Sequence, residues 1–113
     1  MGGNLVEKRI IAPGECLELV EDFFMRNFPE FKLIHREKYT GYWIVKYVNS
    51  QNIGIVFEGD IAGVFYIYII IENTKYPLWN FDKEVAENNF STRENLLFQL
   101  NILITFFEIR KGN

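Results

Sequence analysis

From Tyr42 to Ile71 the chain alternates dense runs of β-branched and aromatic residues with short polar breaks. The runs Tyr42–Val48, Ile53–Glu58 and Val64–Ile71 read as strands. The breaks, Asn49-Ser50-Gln51-Asn52 and Gly59-Asp60-Ile61-Ala62-Gly63, have turn chemistry. Such short connections join antiparallel neighbours, because a parallel return needs a crossover of about a dozen residues or more. Phe31–Glu37 is a weaker candidate strand, and the stretch from Leu5 to Ile11 another, so the sheet is expected to have three to five strands.

On either side the period changes from two to 3.6. Pro13-Gly14 opens and Pro29 closes a helix over Glu15–Phe28. At 100° per residue, Cys16, Leu17, Val20, Phe23, Phe24 and Phe28 share one face of it. Ser91-Thr92-Arg93-Glu94 has capping-box spacing, with Ser91 as the cap, and starts a second helix that continues to about Ile109. This pattern predicts one α+β domain over residues 1–113: a mainly antiparallel sheet with both long helices packed on one face.

Symmetric turns would pair Val48 with Ile53 and Glu58 with Val64. Tyr42, Ile44, Val48, Ile53, Ile55, Phe57, Phe65, Ile67, Ile69 and Ile71 would then face the helices, interrupted by Lys46. Trp43, Val45, Tyr47, Val56, Glu58, Tyr66 and Tyr68 would form an amphipathic, aromatic opposite face, with Gly54 between Tyr47 and Tyr68. A slip of one residue exchanges the faces of a strand.

The second helix carries two apolar stripes. Leu96, Leu97, Leu100, Leu103, Ile104 and Phe107 form one; Phe98, Ile102, Phe106 and Ile109 form the other, roughly opposite. The second stripe is expected to be covered by the first helix or by the segment around Trp79. A homodimer or partner interface is the alternative.

Chemistry-bearing residues are few. One histidine, His35, excludes a His-rich metal site, and one cysteine, Cys16, excludes an internal disulfide. Cys16 lies in phase with Val20 and Phe23, which makes it a packing residue rather than a nucleophile. No metal-ligand spacing and no Gly-rich phosphate loop occurs, so neither cofactor, metal nor enzymatic activity is expected. The net charge of −3 argues against unspecific nucleic-acid binding. The longest apolar run, from Ile61 to Ile71, is too short for a membrane-crossing helix, which needs about 20 residues. No apolar core of a signal peptide follows Met1, and a cytoplasmic location is expected.

Protein binding remains as the functional class. Glu15, Glu18 and Asp22 line one stripe of the first helix, suited to steering a basic partner. Trp43, Tyr47, Tyr66 and Tyr68, with Glu58, supply contact area with polar handles. The run Glu15-Cys16-Leu17-Glu18-Leu19-Val20-Glu21-Asp22, the aromatic hairpins and Asn95-Leu96-Leu97-Phe98-Gln99-Leu100 together resemble the organisation of small bacterial immunity proteins of contact-dependent or polymorphic toxin systems. That resemblance implies a domain without chemistry of its own. It would neutralise a co-encoded toxin by covering its active site or substrate entry, and a basic toxin would match its acidic charge. Two other readings are a homo-oligomeric structural or adaptor domain centred on the second stripe, and a small-ligand module using a cavity near Glu58, Tyr66 and His35.

Overall fold

The computed structural model describes residues 9–112. Helix α1 spans Pro13–Asn27. It is followed by strands β1 (Lys32–Tyr39), β2 (Tyr42–Val48), β3 (Gly54–Gly59), β4 (Phe65–Ile71) and β5 (Thr74–Pro77), and by helix α2 (Arg93–Gly112). The strands form one sheet in the order β1-β2-β3-β4-β5, each pair antiparallel. Both helices cover the same side of this meander and share one core with it. The fifth strand is β5. It follows a two-residue turn in which Glu72 and Asn73 both take positive φ, the conformation that matches hairpin twist. Of the Leu5–Ile11 candidate, residues 5–8 lie outside the described residues, and Ile10 makes a single bridge to Thr92.

The register differs from the symmetric-turn expectation, and the turns explain why. In the first hairpin the Asn49 N–H donates to the Ile53 carbonyl at 3.0 Å, so the loop is only Ser50-Gln51-Asn52. Asn52 sits at φ 64° and supplies the left-handed residue that closes a three-residue loop. Asn49 Oδ1 accepts from the Gln51 and Ile53 N–H groups. Val48 therefore pairs with Gly54, one residue beyond the expected partner. The second hairpin repeats the device. Asp60 N–H donates to the Val64 carbonyl, Asp60 Oδ1 accepts from Ala62 N–H, and Gly63 takes φ +81°. Glu58 consequently pairs with Tyr66, a shift of two from Val64.

A shift of two preserves faces, and the expected sides of β3 and β4 hold. A shift of one inverts them, and β2 is turned over. Trp43, Val45 and Tyr47 are buried against the helices, whereas Tyr42, Ile44, Lys46 and Val48 occupy the other face. Gly54 accordingly lies between Val48 and Ile70, not between Tyr47 and Tyr68. The inversion takes Lys46 out of the core, where its amine would have needed a route to water.

The core joins Cys16, Leu17, Val20 and Phe24 of α1 and Leu96, Leu100, Leu103 and Phe107 of α2 to Val45, Ile55, Phe57, Phe65 and Ile67 of the sheet. At one end it is aromatic. Phe24 stacks on Tyr47 at 4.0 Å between centroids, and Phe28, Phe31 and Phe107 meet edge-on at 5.4–5.7 Å. Such geometries add roughly 0.5–1.5 kcal/mol per pair beyond area burial.

Between β5 and α2 the chain makes short 3-10 turns at Leu78–Asn80 and Lys83–Glu87. Gln99, fully buried on α2, donates through Nε2 to the carbonyls of Asn88 at 2.7 Å and Val85 at 3.3 Å, tying this connection to the helix. Phe106 meets Phe81 edge-on at 5.2 Å, and Ile102 is buried. The connection thus covers part of the second stripe of α2; Phe98 is half-buried and Ile109 exposed. The cap of α2 is Thr92, not Ser91: Thr92 Oγ1 accepts the Asn95 N–H at 3.1 Å. Ser91 is held through its backbone, donating to Gly63 O and accepting from Ile11 N–H.

Candidate functional site

With both helices on one side, neither covers the other side of the sheet, which among the described residues carries no further layer. Its cross-strand rows can be read from the register. One row is Glu37, Ile44, Glu58, Tyr66; the next is His35, Lys46, Val56, Tyr68, Pro77; the third is Val48, Gly54, Ile70, Lys75. Solvated antiparallel faces are normally polar. This one carries Ile44, Val48, Val56, Ile70 and two tyrosines at its centre. Val56 is only 2% exposed although neither long helix is on this side; its cross-strand partners are Lys46 and Tyr68.

Trp79 adds to this face from the connection after β5. Leu78 turns into the core, and Trp79 turns the other way, packing edge-on against Tyr66 at 6.0 Å and Tyr68 at 6.3 Å. The indole is 36% exposed. At the far corner, Tyr39 and Tyr42 face each other across the β1–β2 turn at 5.7 Å, both exposed. The result is an aromatic surface fixed on strands, with little side-chain freedom left to lose on contact.

Charges are few on this face and largely matched. Lys75 Nζ lies 4.3 Å from the Tyr68 ring centroid and 3.4 Å from Glu58 Oε2. His35 Nε2 is 3.3 Å from Glu37 Oε2. The Tyr68 hydroxyl is pushed above its ordinary pKa, first by burial, then by Glu58 and Tyr66, so it stays a neutral donor.

The candidate residues from the sequence separate into three places. Tyr66, Tyr68 and Glu58 are together on the open face. Trp43 and Tyr47 are not with them: both are in the core, at 2% and 5% exposure, because β2 is inverted. Burial holds the Tyr47 phenol well above its usual pKa, with Glu21 adding to the rise and Arg36 opposing it. Glu15, Glu18 and Asp22 are exposed on α1, across the core from the tyrosines. They border a groove of about 950 Å³ in which Arg9, Arg26 and Arg93 are interspersed. Asp22 pairs with Arg26 at 2.9 Å, and neighbouring Glu21 with Arg36 at 2.6 Å. The acids are therefore partly neutralised, and no flat partner can touch this stripe and the tyrosines at once. Trp79, Ile44 and Ile70 were missed as site residues. Ile44 required the correct register, and Trp79 required knowing that β5 returns the chain beside β4.

Cys16 and His35 do not meet. Cys16 is fully buried on the helix side, and His35 projects from the open side of β1. Burial pushes the Cys16 thiol up to about 12, with Glu15 adding to the rise, which suppresses the reactive thiolate. Among the described residues, no group of three or more His, Cys, Asp or Glu side chains is placed to hold a metal ion. No helix among them is long and apolar enough to cross a membrane. Comparison with protein-family models, with curated proteins and with solved structures finds no match for this chain.

Proposed function

We propose that this chain is a protein-binding domain that acts by occlusion through the open face of its sheet. The observation that carries this reading is the Tyr66–Tyr68–Trp79 cluster beside Ile44 and Ile70 on a face with no covering layer among the described residues. Rigid aromatic anchors surrounded by a polar rim are the usual composition of an interface centre. In its most specific form the proposal is a cytoplasmic immunity protein that covers the active or substrate-entry site of a cognate bacterial toxin. The resemblance in organisation supports it, as does the net charge of −3, which favours approach of a basic partner.

Co-expression tests this form. A protein captured on the wild-type chain from native cells should arrest growth when expressed alone and lose that effect when the chain is supplied. Tyr66→Ala with Tyr68→Ala should abolish protection while the chain stays folded. Full protection by the folded double variant removes the sheet face from the interface.

One observation favours a second reading. Lys75 lies against the Tyr68 ring, and Lys46 shares a cross-strand row with Tyr68, with Val56 between them, a combination able to stack and neutralise single-stranded nucleic acid. Glu37 and Glu58 share the face and oppose it. Titration with a thymidine oligonucleotide at low salt decides: the protein-binding account expects no saturable binding.

A further inference from the structure

A second concavity lies on the helix side of the β4–β5 edge, and its argument is independent of the reading above. Its volume is about 320 Å³. Ile69 and Ile71 of β4, Leu78 and Phe81 of the connection, and Phe106 of α2 form its walls. It exists because the connection covers the second stripe of α2 incompletely: Phe81 meets Phe106 by its edge and remains 39% exposed. A cavity of about 150 Å³ holds benzene, so this one has room for a ligand of roughly ten to fourteen non-hydrogen atoms.

Among the described residues, Arg110 is the only charged one lining it; the remaining polar residues, Tyr76 and Asn80, are neutral. The Arg110 guanidinium lies 5.9 Å from the Phe106 ring centroid and makes no ion pair among the described residues. An apolar pocket with a lone planar cation selects an apolar molecule with one planar anionic end. The pocket borders the last turn of α2, whose carbonyl end carries partial negative charge. That field disfavours a dianionic phosphate more than a monoanionic carboxylate.

We propose that this pocket binds a small apolar carboxylate, its hydrocarbon or aryl body against Ile69, Ile71, Leu78 and Phe106 and its carboxylate on Arg110. The role of Arg110 as a cation at a helix C-terminus accounts for its charge. It does not account for an open apolar pocket of ligand size beneath it.

Phenylbutyrate and its neutral counterpart phenylbutanol are suitable probes, titrated into the full chain and followed by amide NMR shifts. The expected result is saturable shifts centred on Ile69, Ile71, Leu78 and Phe106, with the carboxylate bound at least about tenfold more tightly than the alcohol. Arg110→Gln, an exposed substitution, should bring the two affinities together. Ile71→Trp, which fills the pocket, should abolish both. Equal affinity of acid and alcohol for the wild-type chain, shifts centred elsewhere, or no saturation up to the solubility limit of the acid would each overturn the assignment. Should Ile71→Trp fail to fold, the comparison of acid with alcohol on wild type and Arg110→Gln still decides.

Discussion

Gly59 shows how one residue can set a core. It stands opposite Trp43 across the β2–β3 pair on the helix side, and a Cβ built on it would fall inside the Trp43 indole. The missing side chain is the space the indole occupies. Gly59→Ala should therefore destabilise the chain by about 1–3 kcal/mol, the usual cost of forced overpacking. Denaturant titration measures it, and an unchanged midpoint would mean that the indole swings aside freely. Cys16 makes the corresponding electrostatic case. Its folded pKa of about 12 lies above the ordinary 9.0, so both states hold the proton below about pH 9. Above that the unfolded chain ionises while the folded one does not, and stability falls as pH rises toward 12. The denaturant midpoint should drop between about pH 8 and about pH 10, and drop less in Cys16→Ala. An identical drop in the variant would assign the loss to other groups, Tyr47 first. Helical phase alone placed Cys16 inside. Gly59 could not be read in the same way, since its function is a relation to Trp43 that exists only in one register.

At the scale of elements, the sheet and both helices were legible because their periods differ and their breaks carry turn or capping chemistry. Register was not, because it depends on how many loop residues pair. Asn49 and Asp60 each fold a side-chain oxygen over the loop, and Asn52 and Gly63 each supply the left-handed position. Both hairpins thereby close on three-residue loops, one residue shorter in the first and two in the second than a symmetric reading of their polar residues suggests. The same ambiguity of one residue affected the α2 cap. Ser91 and Thr92 are adjacent hydroxyls, and only the backbone path decides which reaches a free N–H. Thr92→Ala should cost about 0.5–2 kcal/mol, and Ser91→Ala less. Thermal or denaturant unfolding of the two variants side by side checks this. A larger loss at Ser91 would restore the capping box with Glu94.

For the molecule as a whole, the decisive fact is two-sidedness. Charge and aromatic residues both suggested a binding surface in the sequence, but a sequence does not say whether two such patches share a side. Here α1 holds Glu15, Glu18 and Asp22 on one side of the core, and β4 holds Tyr66 and Tyr68 on the other. A single interface therefore uses one or the other. The account assigns contact to the sheet and leaves α1 a contribution through its field alone, which salt weakens. Binding kinetics against the captured partner, at low and moderate salt, tests this most directly. Tyr66→Ala with Tyr68→Ala should raise the dissociation rate by tenfold or more, about 1.4 kcal/mol or above, as expected for removal of buried anchors. Glu18→Lys with Asp22→Lys should leave dissociation unchanged and alter only the salt-dependent association rate. The reverse result, faster dissociation from the charge reversals and none from the tyrosine truncations, would place the partner on α1 and contradict the account.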